Sequence, residues 1–421
     1  MKTTGIIAEY NPFHNGHAYH IKKTKELTGA DYIIAVMSGN FVQRGAPALL
    51  DKYERARMAL ENGADVVIEL PSVTALSSAE GFARGGISLL TALGVVTDVS
   101  FGCEITDETQ ISYLHMIAQL FAEEPETYRQ LLSSYLKSGI SYPAARMSAA
   151  ETYLKTKNGS IPANCLGLLK NPNNILAVEY LKTIYKYKYS ICPRIIARSG
   201  SPYHDLRMEG GFASAHALRN YLLDKSGLPD LSLLSEYVPA SVCKSLSDAA
   251  EHHRFLQEDD FSDLLFHALT DHYHDLNQYG SLNEDFTLRL QKHLEYFESW
   301  NQFIPLLKTK NRTYSSISRY FSQLLNGIRQ EHFIQASGFR FAPYARILGF
   351  HKSAAPLLKE MHQKSRIPII TKLSEQMDDL KKCQKNLLDV DIRASRFYGH
   401  ILFSKSGEQQ KLEFRRPLIT L

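Results

Sequence analysis

Apolar and polar positions follow two different rhythms along the first hundred residues. Short apolar runs, typical of buried strands, lie at 3–9, 31–38, 65–70 and 98–102. Stretches with one apolar and one charged face, typical of amphipathic helices, lie at 18–27, 52–62 and 77–93. Strands and helices that alternate at this spacing predict an α/β fold, in which helices cover both faces of a Rossmann-like parallel sheet.

The pattern is mostly helical in the rest of the chain. After helical spacing from 107 to about 187, a strand is predicted at 194–199 and a helix at 214–224. A Gly/Pro break at 225–229 then indicates a domain boundary. We expect a sheet domain at 1–226, a helical linker domain at 227–300 and a mostly helical region at 301–421. Strand-like pieces of this last region lie at 366–371 and 397–403.

Charge is distributed unevenly along the 421 residues, whose net charge is +4. Residues 301–421 carry 21 Lys and Arg against 9 Asp and Glu, a balance of +12, whereas residues 1–300 carry 27 against 35, a balance of −8. A basic third of this kind favours a polyanionic partner larger than a nucleotide, although a basic surface can also serve solubility alone.

Composition argues against several other classes of protein. No apolar run approaches the roughly 20 residues that a membrane-spanning helix requires, so we expect no membrane partner. The first residues are strand-like and differ from a basic, hydrophobic leader, which favours a cytoplasmic location. The 5 cysteines are scattered without a CxxC pair, which suits a reducing compartment and gives no zinc site.

His14-Asn15-Gly16-His17 directly follows the first predicted strand and opens the first predicted helix. The N–H groups at a helix N-terminus point at anions, a glycine lets the backbone approach a ligand closely, and two imidazoles can donate to phosphate oxygens. This position therefore favours a triphosphate site over a surface turn that happens to carry two histidines. Ligands of parallel sheets bind at the carboxyl ends of the strands, where His14 falls.

The motif resembles the HxGH signature of the nucleotidyltransferase superfamily, whose members bind ATP on a Rossmann-like sheet. The longer strings Glu9–His17 and Val36–Gly45 resemble the bacterial tRNA(Met) cytidine acetate ligases, the TmcAL family, and the similarity extends over nearly the whole chain. This resemblance implies an ATP-dependent ligase that joins acetate to elongator tRNA(Met). The implied product is N4-acetylcytidine at the wobble position, made through an acetyl-adenylate intermediate.

The resemblance also implies roles for particular residues, with His14 and His17 as the catalytic pair. The implied ATP contacts are Ile7, Ala8, Glu9, Tyr10, Asn11, Pro12, Phe13, His14, Asn15, Gly16, His17, Ala18, Tyr19, His20, Gly102, Asn173 and Arg198. From the residues alone, Gly102 could equally be a turn glycine, and Asn173 and Asn174 could both be helix caps. The family pattern favours Asn173 as the ligand contact without separating the two.

A second phosphate motif is weaker. Ala213–Arg219 resembles the superfamily's ISSTxxR string and implies phosphate contacts from Ser214 and Arg219. It departs from that string at Ala213 and His216, which leaves the role of His216 open. Arg44, after the second strand, is a candidate for an acetate or phosphate oxygen, and the alternative is a solvated loop arginine.

The basic C-terminal third interleaves cations with aromatic residues, which suits phosphates and unpaired bases. Lys308, Lys310, Arg312 and Tyr314 resemble the family most closely and are the predicted tRNA contacts. Other pieces of the same kind are Arg319-Tyr320, Tyr344–Arg346 and Arg393–Tyr398. Core packing is the alternative for any one of these aromatic residues.

Two other functions share some of these features. One is a small-molecule adenylyltransferase of the pantetheine or nicotinate mononucleotide type, which the long basic region disfavours. The other is a nucleotide-sensing RNA-binding protein without catalysis, built on the same fold. In the favoured reading ATP is a substrate, Mg²⁺ bridges its phosphates, and no residues form a dedicated metal site. The sequence does not indicate an oligomeric state.

Overall fold

The computed structural model describes residues 1–105, 107–158, 165–197, 212–224, 228–280 and 284–421. Its strands are β1 (Thr3–Ala8), β2 (Tyr32–Ser38), β3 (Val66–Leu70), β4 (Asp98–Cys103), β5 (Cys192–Ala197), β6 (Ala345–Phe350), β7 (Ile369–Ile370) and β8 (Ile419–Thr420). Its helices up to residue 224 are α1 (Asn15–Thr28), α2 (Lys52–Glu61), α3 (Ser72–Ala75), α4 (Ala79–Ala92), α5 (Glu108–Glu123), α6 (Glu126–Lys137), α7 (Tyr142–Asn158), α8 (Pro172–Tyr187) and α9 (Ala215–Leu223). The later helices are α10 (Leu231–Tyr237), α11 (Ala240–Glu251), α12 (Ser262–Asp271), α13 (Glu284–His293), α14 (Trp300–Leu307), α15 (Tyr314–Leu325), α16 (Gln330–Gly338), α17 (Ala355–Lys364), α18 (Leu373–Gln376) and α19 (Lys382–Ser406).

A single sheet organises the described residues. Its strand order is β5-β4-β1-β2-β3-β6-β7, with β8 paired to β6. Neighbouring strands run parallel except for β3 and β6, which are antiparallel. Ala8 pairs with Met37, so β1 and β2 end side by side at the carboxyl edge of the parallel strands. The predicted α/β fold, a Rossmann-like sheet followed by a mostly helical basic region, is confirmed.

The first four strands and three helices lie close to their predicted positions, and so does α9. Helix α1 starts at Asn15, three residues earlier than predicted, because the side chain of His14 caps it. The sequence analysis did not identify β6 or β8, which lie within the mostly helical region. The predicted strand at 366–371 is reduced to the two residues of β7, and Ser199 of the strand at 194–199 lies outside the described residues.

The predicted strand at 397–403 is wrong, because this segment lies inside α19. Leu387, Asp391, Ala394, Tyr398 and Leu402 are buried along this helix, three or four residues apart. That spacing is helical, and the local run of apolar residues around Tyr398 hides it when the segment is considered alone.

The C-terminal region shares its core with the N-terminal sheet. Ile347 of β6 packs in the same apolar cluster as Ile34 and Val36 of β2. A second cluster lies among α12, α14, α15 and α19 and contains the fully buried Trp300. The boundaries expected near 226 and 300 stay predictions, and residues 225–227 lie outside the described part of the chain. None of the helices that the structure describes is both long and apolar enough to cross a bilayer.

Candidate functional site

His14 and His17 cap the N-terminus of α1. The Nδ1 atom of His14 accepts from the N–H of Gly16 at 3.0 Å, and the Nδ1 atom of His17 accepts from the N–H of His14 at 3.2 Å. Because an imidazole nitrogen that accepts carries no proton, both neutral rings hold their proton on Nε2. Each ring is therefore fixed by the backbone at one nitrogen and is a donor at the other.

The two imidazoles form one unit on the first turn of the helix. Their ring centroids lie 3.7 Å apart in a stacked arrangement, and His14 is only 5% exposed. Gly16 is required beside them, since a Cβ atom there would lie 2.8 Å from Cε1 of His14. A glycine was expected here so that the backbone could approach a ligand closely. The structure gives a second reason for a glycine, since the His14 ring occupies the space that a side chain would need.

Aromatic residues form the wall behind this pair. The ring of His17 meets Tyr10 edge-on at 4.9 Å and Phe13 at 5.4 Å, and both aromatic residues are buried. Burial raises the pKa of Tyr10, so its hydroxyl stays neutral. The backbone of Tyr10 is left-handed, with φ of 47°, which turns the chain sharply between β1 and α1.

The turn between β1 and α1 is held by neighbouring segments. Oδ1 of Asn11 accepts from the N–H of Leu49 at 2.8 Å, and the carbonyl of Asn11 accepts from Arg219 at 2.7 Å. Arg219, a predicted phosphate residue, thus reaches the same turn as the histidines. Ser214 caps α9 by accepting from the N–H of Ala217 at 3.0 Å.

Arg55 is a buried residue of this site that the sequence analysis did not identify. Its guanidinium donates to four carbonyls, those of Leu50, Glu9, Ser38 and Gly39. It thereby joins the ends of β1 and β2, and burial lowers its pKa. The available signal was its place on the apolar face of α2, four residues before the buried Ala59.

On the other side of β1, residues at the end of β4 contact the start of α8. Asn174 is fully buried, and its amide accepts from the N–H of Glu104 and donates to the carbonyls of Glu104 and Leu168, at 2.8, 3.0 and 3.1 Å. Asn173 is half-buried and donates to Oε1 of Glu104 at 2.7 Å. Asn174 is thus occupied by the fold, which leaves Asn173 as the better candidate for a ligand contact.

The remaining expected ATP contacts are distributed around this centre. Gly102 lies in β4 beside Ile196 of β5, half-exposed on the carboxyl side of the sheet. Side chains of two other residues contact protein groups. Nε2 of His20 lies 3.0 Å from Oγ of Ser100, and Asn15 donates to the carbonyl of Glu236 at 2.9 Å. Arg198 lies outside the described residues.

Arg44 lies in a tight turn after β2 that is attached to α15. Ser318 and Ser322 both donate to the carbonyl of Gly45, at 2.7 and 2.8 Å. Arg319, on the same helix, donates to the carbonyl of Gln43 at 3.4 Å. Burial, together with the charge of Arg44, lowers the pKa of Arg319 to about 10. Two guanidinium groups thus lie near each other here, an arrangement that suits an anion.

The predicted tRNA contacts surround a two-residue turn between α14 and α15. Thr309 and Arg312 pair across it, and Lys308 and Lys310 are exposed. The guanidinium of Arg312 lies over the ring of Phe286 at 5.1 Å, and Tyr314 is 40% exposed. The structure therefore presents the two lysines outward and holds Arg312 against the protein.

A buried ionic cluster lies where β3 meets β6. Lys52 bonds to Glu69 at 2.7 Å and to Glu413 at 3.3 Å, and Arg346 pairs with both of these carboxylates. Although burial raises the pKa of Glu413, Lys52 and Arg346 outweigh that effect and hold it well below its usual range. The cluster attaches the C-terminal segment to the sheet.

Comparison with known proteins identifies the family. The chain matches the HIGH Nucleotidyl Transferase family over residues 1–413. It is 40% identical over 423 residues to a tRNA(Met) cytidine acetate ligase of Clostridium kluyveri, with 100% of this chain and 99% of the relative covered. It is 39% identical over 425 residues to the protein of the same name from Thermoanaerobacter sp. X514, with 100% of both chains covered.

Solved structures agree with this assignment. Apo Thermotoga maritima TmcAL superposes with a TM-score of 0.92 at 33% identity, and the match covers 100% of both chains. The same protein bound with alpha-thio ATP gives a TM-score of 0.90, also at 33% identity and 100% coverage of both chains. The chain therefore belongs to the HIGH nucleotidyl transferases and, within them, to the tRNA(Met) cytidine acetate ligase family.

Proposed function

We propose that this member of a ligase family acetylates the wobble cytidine of elongator tRNA(Met) through an acetyl-adenylate. The observation that carries the proposal is the two-histidine cap of α1 at the carboxyl edge of the sheet. It places two imidazoles, whose Nε2 atoms are donors, at the positive end of the helix dipole of α1, which is an environment for a polyphosphate. A relative bound with alpha-thio ATP supports ATP as that polyphosphate.

The first step joins acetate to ATP. A carboxylate oxygen of acetate attacks the α-phosphorus, the bond from that phosphorus to the bridging oxygen breaks, and pyrophosphate leaves. His14 and His17 would donate from Nε2 to phosphate oxygens and stabilise the charge that develops on them. Such a transfer depends on positioning and charge stabilisation and needs no covalent enzyme intermediate.

The second step transfers the acetyl group to tRNA. The exocyclic N4 amine of cytidine attacks the acyl carbon, the bond between that carbon and the adenylate oxygen breaks, and AMP leaves. The nitrogen loses one proton to the solution and becomes an amide. The energy of ATP is thus spent on activating a carboxylate that an amine would not attack unaided.

Other residues would complete the nucleotide site. Gly102 gives space for ribose or base at the end of β4, and Asn173 offers an amide donor and acceptor nearby. Arg219 and Arg198 are proposed to hold phosphates, and Arg44 to hold acetate or a phosphate. Within the described ranges, no group of three His, Cys, Asp or Glu could hold a metal ion, so Mg²⁺ would arrive on the triphosphate.

The basic region at 301–421 would bind the tRNA. Its balance of +12 suits a phosphate backbone, and the exposed Lys308 and Lys310 are proposed contacts. Tyr314, 40% exposed, is a further proposed contact, whose ring would stack on an unpaired base. A tRNA substrate places the proposed reaction in the cytoplasm.

The test is pyrophosphate release from ATP, measured with and without acetate and tRNA. We expect release that requires acetate, and turnover of the adenylate that requires tRNA. If pyrophosphate is released when a small nucleotide replaces both acetate and tRNA, the result would favour a small-molecule adenylyltransferase. If the protein binds ATP and tRNA but releases no pyrophosphate under any of these conditions, the result would favour a non-catalytic binding protein.

A further inference from the structure

A pocket of about 250 Å³ opens between the loop that follows β2 and the C-terminal segment. Asn40 and Asp51 of the loop line one wall, and Tyr398 of α19 lines another. Asn40 comes two residues after β2, whose neighbour β1 leads directly to His14. The pocket therefore lies on the same edge of the sheet as the two-histidine cap.

The carboxylates of this pocket are already paired with cations. Asp51 accepts from Arg416 at 2.9 Å, and Glu413 is held by Arg346 and by Lys52, the latter at 3.3 Å. Their negative charge is thus neutralised inside the protein. The field at the pocket mouth is set by the residues around the rim instead.

The rim is cationic and partly aromatic. Arg396 and Lys411 are exposed, and neither makes a hydrogen bond or an ion pair with the residues that the structure describes. Phe403 beside them is 46% exposed. An unpaired guanidinium, an unpaired ammonium and an exposed ring at one mouth suit a ligand that has both a phosphate and a planar base.

We propose that this pocket takes one unpaired nucleotide of the RNA substrate. Arg396 and Lys411 bind its phosphate, and its base stacks on Phe403. The inference rests on the proposed function for the identity of the RNA. An RNA chain is favoured because Arg393 and Arg415 are also exposed in the same segment, so its positive charge is not limited to the two residues that would bind one phosphate. The nucleotide is unpaired because a base must leave its stack to meet a side chain.

The test compares three variants of the full chain by tRNA binding over a range of salt concentrations. The first is Arg396→Gln with Lys411→Gln, and the second is Phe403→Ala. The matched control is Lys352→Gln with Lys359→Gln, which removes the same charge from two exposed residues. Lys352 lies beside β8 and near the start of β3, at the opposite edge of the sheet. Thermal melting by circular dichroism confirms that each variant folds.

We expect the Arg396/Lys411 variant to bind tRNA more weakly and its log–log salt slope to fall by about 0.7–0.9, because the contact with one phosphate is lost. Phe403→Ala should weaken binding about tenfold with its salt slope unchanged, because stacking is lost and charge is not. The Lys352/Lys359 control should change tRNA affinity and the salt slope less than the Arg396/Lys411 variant does. Rim variants that behave like the control would overturn the inference.

Two further arms separate this inference from its alternatives. If AMP or CMP alone binds at the rim of the wild-type protein and tRNA binding is unchanged in the rim variants, the pocket is a small-molecule site and the inference is wrong. Nucleoside analysis of tRNA treated with the wild-type protein, ATP and acetate tests the proposed function independently. Absence of acetylcytidine there, with rim-dependent tRNA binding intact, would contradict the function and leave the pocket as an RNA site.

Discussion

At the scale of single residues, the site depends on two histidines that have two duties each. One ring nitrogen satisfies a backbone N–H of the α1 N-terminus, and the other is oriented as a donor. A substitution that removes the whole side chain would therefore remove the cap and the proposed phosphate donor together, and the two effects could not be told apart. The useful substitutions are those that keep the cap.

His14→Asn and His17→Gln separate these duties. Asn is a strong N-cap, and Gln at the third helical position completes a capping box, so both variants should melt within a few degrees of wild type. Without the imidazole donor, acetate-dependent pyrophosphate release should fall by about 10²–10³, the usual cost of one charge-stabilising donor. Release at the wild-type rate in both variants would contradict the assignment of the pair.

The sequence predicted the position of His14, Gly16 and His17 at a strand-to-helix turn, because the motif is local. The three residues lie within one stretch of four, between a strand that precedes and a helix that follows, and their contact with phosphate stays a prediction. Arg55 could not be assigned in the same way, because its four carbonyl partners come from three separate segments. Its position on the buried face of α2 was visible in the sequence, but its partners were not.

At the scale of elements, buried charges hold the strand ends in place. Arg55→Met removes the buried guanidinium and leaves four backbone carbonyls without their hydrogen-bond donor. We expect a loss of about 3–5 kcal/mol in the free energy of unfolding, measured by urea denaturation. Arg57→Met is the matched control, since Arg57 is exposed on the same helix and should change stability little. Equal, small effects of both substitutions would show that Arg55 does not hold the strand ends.

Asp391, a buried residue of α19 that is affected by the charge of Glu69 in the ionic cluster, gives the stability of the protein a measurable dependence on pH. Its oxygens accept from the N–H of Ser72 at 2.7 Å and from the hydroxyl of Tyr344 at 2.6 Å. Burial, followed by the charge of Glu69, raises the pKa of Asp391 to about 6. The folded state therefore keeps a proton that the unfolded state has released, and this contribution to stability is lost as pH rises towards and through 6.

Asp391→Asn should remove that dependence. The variant should gain stability relative to wild type on the order of 1–3 kcal/mol between pH 5 and pH 7.5. Urea denaturation of both proteins at several pH values measures the difference. A difference that stays constant over this range would show that Asp391 is already ionised at pH 5.

Elements were predicted unequally, for physical reasons. Strands β1 to β4 are mostly apolar and were recognised, since nearly all of their residues are buried. Strand β6 contains Arg346, whose charge is compensated by Glu69 and Glu413 from distant segments. Strand β8 has two residues, too few for a periodic pattern. The segment at 397–403 was misassigned because its helical period shows only along the whole of α19.

At the scale of the whole molecule, charge distinguishes the two regions that we propose to bind the two substrates. The acidic part of the chain, residues 1–300, carries the two-histidine cap. The basic region at 301–421 extends the same sheet through β6, β7 and β8. This arrangement brings the proposed polyanion-binding surface to the sheet that carries the proposed nucleotide site. The charge asymmetry was visible in the sequence. The shared sheet could not be predicted, because it depends on pairing between strands that are far apart in the chain.

Lys308→Gln with Lys310→Gln tests this division. Both lysines are exposed, so their replacement should weaken tRNA binding and reduce the log–log salt slope by about 1.4–1.8. Acetyl-adenylate formation without tRNA should stay near its wild-type rate, because the lysines lie outside the two-histidine site. An unchanged salt slope would refute the contact, and loss of adenylate formation would show that the two regions are not separable.

The most direct test of the proposed activity is mass spectrometry of tRNA after incubation with the protein, ATP and isotopically labelled acetate. Digestion into fragments locates the label along the tRNA sequence. We predict labelled N4-acetylcytidine at the wobble position of elongator tRNA(Met), dependent on ATP and formed at a strongly reduced rate with His14→Asn. Label at no cytidine, or equal labelling with His14→Asn, would contradict the function proposed for the two-histidine site.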